Sequence, residues 1–126
     1  MRKKWIVLTP EEWVRQNMIS YLLSIGIQSH NLAVEYPIAY HGLQHRADIV
    51  IFAKSKIQVL IECKKTEQPI TQQTIAQVLR YNHVLQLSKT IITNGLEHYY
   101  FTLDTTKGWS TLQGLPDAEM LSENYE

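Results

Sequence analysis

One cysteine in 126 residues leaves no internal disulfide framework and none of the familiar Cys-rich zinc sites, and suits a reducing compartment. Glycine (5) and proline (4) are too sparse, and too irregularly placed, for a fibrous or low-complexity chain. Long apolar runs are missing too: the longest early one, Trp5 to Leu8, is far too short for a signal h-region or a membrane span. Charge of either sign is not in excess, because Lys+Arg and Asp+Glu both number 12 and the net charge is zero. That argues against a polybasic nucleic-acid arm, a highly charged disordered tail or an unusually acidic protein. What remains is an ordinary globular composition, 44% apolar and 10% aromatic, at a length that suits one domain. The expectation is a soluble, cytoplasmic protein with no membrane partner.

The neutral sum hides an asymmetry. Residues 1–65 carry nine basic side chains against five acidic ones, a balance of +4, and residues 66–126 carry three against seven, a balance of −4. Four of those seven acids (Asp117, Glu119, Glu123 and Glu126) fall in the last ten residues, so a mildly basic body precedes an acidic end.

Thr9-Pro10-Glu11-Glu12 has the composition of a helix start: a Thr N-cap, proline in the first turn, acids beside it. Val14, Met18, Tyr21, Leu22 and Ile25 recur at helical spacing before the Gly26 stop. Residues 32–40 read as a strand in which Pro37 favours an edge or a bulge, and His41-Gly42 begins a turn. Arg46 to Ala53 and Ile57 to Lys64 read as two strands of a hairpin turning through Lys54-Ser55-Lys56. A second helix, capped by Thr71, runs to about Gln86 with Ile75, Val78, Leu79 and Leu85 as its apolar stripe. Lys89 to Thr93 and His98 to Leu103 read as a further hairpin through a type I′ turn at Asn94-Gly95. After Gly108 the signal fades into a polar segment with one short helix near Asp117 to Ser122. The order α-β-β-β-α-β-β describes an α/β domain, one mixed β-sheet with a helix on each side. Residues 1–108 form the expected domain, and 109–126 an acidic C-terminal extension.

The chemistry concentrates in the middle hairpin. Ala47, Ile49 and Ile51 share one strand face, opposite Asp48, Val50 and Phe52. On the next strand Ile57, Val59, Ile61 and Cys63 form an apolar face opposite Gln58, Leu60, Glu62 and Lys64. Burying the two apolar faces together fixes the pairing parity and brings Asp48, Glu62 and Lys64 out on one face. A three-residue turn then sets Asp48 directly opposite Glu62. Facing carboxylates repel, and the usual resolutions are a shared proton, a neighbouring cation or a bound divalent metal. Two carboxylates plus waters suit Mg2+ or Mn2+, and Lys64 reaches over the same place to orient a water or offset charge on a phosphate. The bland alternative is a solvated sheet face on which Lys64 makes a surface ion pair.

Asp48, followed fourteen residues later by Glu62-Cys63-Lys64, resembles the D…ExK signature of the PD-(D/E)xK nuclease superfamily, and the element order resembles its restriction-endonuclease-like core. Five segments in order resemble, more narrowly, the N-terminal nuclease domain of type I restriction enzyme R subunits. They are Pro10 to Gln16, Arg46 to Val50, Ile61 to Lys65, Gln77 to Tyr81 and Ile92 to Gly95, and they cover roughly residues 9–103. The resemblance implies a metal-dependent DNA endonuclease in which Asp48, Glu62 and the Cys63 main-chain carbonyl hold Mg2+ (or Mn2+) and Lys64 is catalytic. It also implies a Gln-x-x-x-Tyr pair, Gln77 and Tyr81, near the active site or DNA, and a first-helix glutamate at the metal. Glu11 and Glu12 both qualify; Glu12 is preferred, although Thr9-x-x-Glu12 is itself a capping box. The R subunits carry a helicase motor, and these 126 residues hold no G-x-x-x-x-G-K-[ST] loop. Translocation, and any sequence specificity, are therefore expected from a motor or specificity protein in trans.

Other signals have simpler explanations. Gln77 and Tyr81 share one helix face, where an amide–aromatic contact is unremarkable without the resemblance. The Cys63 side chain belongs to the apolar face. His41 and His45 flank a turn without a supporting cysteine pair, so zinc is disfavoured, and Trp5, Trp13 and Trp109 suit packing. Arg15, Gln16 and Arg80 are candidate phosphate contacts. Double-strand cleavage would need a homodimer or successive nicks. The competing reading is a non-catalytic nucleic-acid-binding or assembly module with the same fold.

Overall fold

In the computed structural model, residues 9–40, 42–104 and 106–122 are described, with the side chains of Tyr40, Leu43 and Val84 left aside; Arg2, Lys3, Lys4, Trp5, His41, Glu123 and Glu126 lie outside the described residues. Helix α1 (Pro10–Ser24) begins as its sequence dictates: the Thr9 hydroxyl accepts from the Glu12 N–H and proline occupies the first turn. Strands β1 (Leu32–Tyr40), β2 (Leu43–Ala53) and β3 (Lys56–Cys63) follow, then helix α2 (Gln72–Leu85), strands β4 (Lys89–Thr93), β5 (His98–Asp104) and β6 (Gly108–Gln113), and helix α3 (Ala118–Ser122). The six strands lie side by side in chain order. Every neighbouring pair is antiparallel except β3 and β4, which α2 connects as a parallel crossover. This is the mixed α/β sheet with flanking helices expected from the sequence, with one strand more.

Two clusters pack on opposite faces of the sheet. Val14, Met18 and Leu22 of α1 bury against Ile49, Ile51, Val59, Ile61, Cys63 and Ile91. On the other side Val78 of α2 meets Ile38, Ala47, Val50, Leu60 and Ile92. Leu22 is fully buried, and Leu22→Ala is expected to lower unfolding free energy by about 2–5 kcal/mol in urea denaturation, the cost of lost transfer plus a residual cavity. No helix among the described residues is long and apolar enough to cross a membrane.

Three local readings change. The central hairpin turns through two residues rather than three: Lys54 and Ser55 both have positive φ (53° and 66°), the type I′ geometry. The missing residue is restored by a bulge. Ile51 pairs with Val59 and Phe52 with Ile57, so Gln58 is the extra residue and the register beyond it equals that of a three-residue turn. Second, β4 and β5 are joined by four residues, not a two-residue turn. Asn94 folds the loop back, its Oδ1 accepting from the N–H groups of Leu96 (2.9 Å) and Glu97 (2.7 Å). Third, the polar segment after Gly108 forms edge strand β6. Residues 109–113 are exposed on both faces, which erases the alternation that would have announced a strand. The segment that follows is tied down: Leu121 O accepts from Gln58 Nε2 (3.0 Å) and Lys89 Nζ (2.6 Å), and Pro116 O from the Tyr21 hydroxyl (2.7 Å).

Candidate active site

The site forms where β2 and β3 part company. Their pairing runs from Ala53↔Lys56 to Ile49↔Ile61, after which β2 stays with β1 and β3 stays with β4. Extending the register one step sets Asp48 against Glu62. Instead of a backbone partner across the gap, the Cys63 N–H donates to Asp48 Oδ2 at 2.7 Å. A carboxylate thus occupies the place of a ladder carbonyl, satisfying an amide that would otherwise be buried without a partner.

Asp48 sits at a break in the strand's alternation. Ile49 packs against α1, whereas Ala47, two residues earlier, packs on the α2 face. The sequence expectation that Ala47 shares a face with Ile49 and Ile51 is therefore corrected. In β1 the same reversal occurs: Leu32 packs on the α1 side, Tyr36 and Ile38 on the α2 side, and between them Glu35 has φ 47°. Val34↔Ile49 and Tyr36↔Ala47 keep one register across the break, so both strands turn over together opposite each other. A strained non-glycine φ at this level is the local signature of the reversal.

The reversal sorts the acids. Asp48 opens toward α1 into a hollow of about 260 Å³ lined also by Thr9, Glu11, Glu12, Arg15 and Glu35. Glu62, only 3% exposed, approaches from the α2 face. The two carboxyl groups meet in the gap rather than standing side by side on one face as expected. Burial pushes the Asp48 carboxyl up to about 7; the Cys63 N–H works against that, while the Glu62 carboxyl and the Glu11 charge reinforce it.

Glu62 has a partner that the sequence reading did not include. His45 Nε2 donates to Glu62 Oε1 at 2.6 Å, and the His45 ring stacks on Tyr81 of α2, with centroids 4.0 Å apart and planes 13° apart. This bond raises the His45 pKa from its ordinary value, burial opposing. Strict alternation puts residue 45 on the opposite face from residue 48, so no periodic reading could bring His45 to these carboxylates.

The remaining candidates separate. Tyr81 reaches the carboxylates through His45, whereas Gln77 lies exposed one turn earlier on α2. Lys64 continues the parallel ladder, its N–H donating to Thr93 O at 2.8 Å, and its charge bears on the His45 ring. The Cys63 thiol is buried and its pKa is driven up by burial and by both carboxylates, so it stays a neutral core group. Glu12, the preferred first-helix acid, is engaged by Arg15 and by Gln16 Nε2 at 3.3 Å. Arg15 also bridges to Glu35 of β1 at 3.1 Å. Glu11, in contrast, is the first-helix acid whose charge acts on Asp48.

Residues 10–117 match the family model described as type I restriction enzyme R protein N terminus. The chain belongs to that family. Among solved structures, the chain is similar to a fragment from Vibrio vulnificus YJ016 assigned as an HsdR subunit of a type I restriction enzyme (TM-score 0.69, 21% identity). The match covers 93% of this chain and only 25% of that one, so the family member here spans a quarter of that chain's length. It is also similar to a protein from Anabaena variabilis ATCC 29413 assigned as a nuclease of the DUF820 group (TM-score 0.60, 12% identity), over 99% of this chain and 81% of that one. At such identities the likeness concerns the fold. No curated protein matches.

Proposed function

We propose that this chain hydrolyses DNA phosphodiester bonds with a divalent cation. The observation that carries the reading is the convergence of Asp48 and Glu62 in the gap between β2 and β3, with Lys64 two residues beyond Glu62. Among the described residues no three His, Cys, Asp or Glu side chains are gathered as a ready metal cage. The Asp48 and Glu62 carboxylates suit Mg2+ or Mn2+ rather than zinc, because Mg2+ is commonly held by one or two carboxylates and keeps several waters. Asp48, Glu62 and the Cys63 carbonyl would hold the ion, with Glu11 a better-placed helper than Glu12. When bound, such a cation supplies Lewis acidity toward the phosphate and its attacking water.

The chain's own groups do the rest. Asp48 holds one oxygen on the Cys63 amide, and His45 holds Oε1 of Glu62, so neither carboxylate swings freely. Lys64 brings an ammonium to the same end of β3, where it offsets charge that develops on the phosphate oxygens. Arg15 and Arg80, the phosphate-contact candidates of the sequence, would meet the DNA backbone, and specificity would come from a partner subunit.

The experiment is incubation of supercoiled plasmid and single-stranded DNA with pure protein and Mg2+ or Mn2+, with EDTA and Asp48→Ala as controls. Metal-dependent nicking that Asp48→Ala abolishes is the expected result. Nicking that survives the substitution, or none at any metal concentration, returns the chain to a non-catalytic binding or assembly module.

A further inference from the structure

Glu62 is a buried carboxylate, and a buried carboxylate needs partners to hold it in one geometry. Its partner is His45, whose ring lies flat on Tyr81. Three elements are thereby linked: α2 supplies a shelf, β2 an imidazole seated on it, and β3 the carboxylate. We infer that His45 is a positioning residue for Glu62 and that Tyr81 acts on the site as the shelf that sets the His45 ring. This rests on the nuclease reading above.

The physical argument is one of restricted rotation. A glutamate has one more side-chain torsion than an aspartate and so needs one more constraint to hold a single rotamer. With Oε1 held at 2.6 Å by Nε2, the carboxylate that acts on Asp48 across the gap is kept in one orientation. Stacking over 4.0 Å with nearly parallel planes leaves the imidazole little freedom to rotate away. Partners of this kind, which orient a ligand without touching the ion, typically change metal affinity or activity about 10–100-fold when removed. Tyr81 then matters through the face of its ring more than through its hydroxyl.

The test uses the full chain with Mn2+ as probe, followed by titration calorimetry and by the resonance signal of free Mn2+. His45→Ala is expected to weaken Mn2+ binding about 10–100-fold and to lower kcat for strand cleavage while KM for DNA changes by less than about threefold. His45→Gln, which restores an amide donor toward Glu62, should recover at least about threefold of the lost affinity. Tyr81→Phe keeps the shelf and should bind Mn2+ nearly as wild type does, whereas Tyr81→Ala should weaken binding as His45→Ala does. A folded His45→Ala protein that binds Mn2+ within about twofold of wild type overturns the inference and leaves the nuclease reading standing. Wild-type protein that binds no Mn2+ overturns the nuclease reading instead. In that protein the imidazole 15N spectrum decides the positioning inference: Glu62→Gln should shift His45 Nε2 more than Nδ1, and an unmoved Nε2 overturns it.

Discussion

Replacing Asp48 with asparagine is expected to abolish strand cleavage and, in the absence of metal, to make the protein more stable at pH 8. Both effects follow from one carboxyl group. The Asp48 carboxyl is pushed up to about 7 in the folded chain, chiefly by burial, from the ordinary aspartate value of 3.8. The folded state therefore binds more protons than the unfolded state between those two values. Its stabilising contribution is complete below the unfolded pKa and is lost as pH rises through the folded pKa. His45, whose pKa is also raised, works in the same direction: its contribution fades as pH climbs through its elevated value. At pH 8 the metal-free wild type carries an ionised Asp48 beside Glu62 in a partly buried gap. Asparagine still accepts from the Cys63 N–H and removes the charge. Allowing for solvent on the open side, the gain is about 1–3 kcal/mol, or about 3–10 °C in Tm.

The same argument reverses when a cation is added. Mg2+ or Mn2+ binds the carboxylate form, so its stabilisation of the wild type should be large at pH 8 and small at pH 5. At one hundred times its dissociation constant the ion contributes about 2.7 kcal/mol. Thermal melts at both pH values, with and without metal, check this in wild type and Asp48→Asn. A wild type that melts alike with and without metal at pH 8 would remove the cation from the proposal.

Lys64→Ala is expected to separate binding from chemistry. Lys64 is proposed as neither metal ligand nor core residue, and its backbone bond to Thr93 O does not depend on the side chain. The variant should fold, and should bind Mn2+ nearly as wild type does, yet cleave DNA about 10²–10³-fold more slowly, the usual loss when one charge-stabilising donor is removed. Single-turnover cleavage at saturating metal is the measurement. A rate within about threefold of wild type would make Lys64 the surface ion-pair partner of the bland reading.

Much of this site is legible along the chain because the hairpin obeys alternation where it is most apolar. Burying Ile49 and Ile51 together with Val59, Ile61 and Cys63 selects one parity, and that parity sets Asp48 against Glu62 whether the turn has three residues or two plus a bulge at Gln58. The helix start at Thr9, the crossover helix and the parallel pairing that follows it are equally local in origin. They rest on caps and on the apolar stripe of α2.

What alternation could not carry is whatever depends on breaking it. A period of two tells which residues share a face only while the strand is regular, and at Glu35 and Asp48 two neighbouring strands turn over together. Because the breaks are matched, the register is preserved and the apolar pattern on either side still looks ordinary. That paired reversal brings His45 to Glu62 and opens Asp48 toward α1, into a hollow lined by both Glu11 and Glu12. Edge strand β6 escaped notice for a related reason, since a strand exposed on both faces has no pattern to read. The sequence by itself determined the two carboxylates, their opposition and the lysine beside them, because side-chain chemistry and hairpin parity are local properties. Only the tertiary structure decided how those groups are held, because a buried carboxylate is positioned by whatever the neighbouring strands and helix deliver to it.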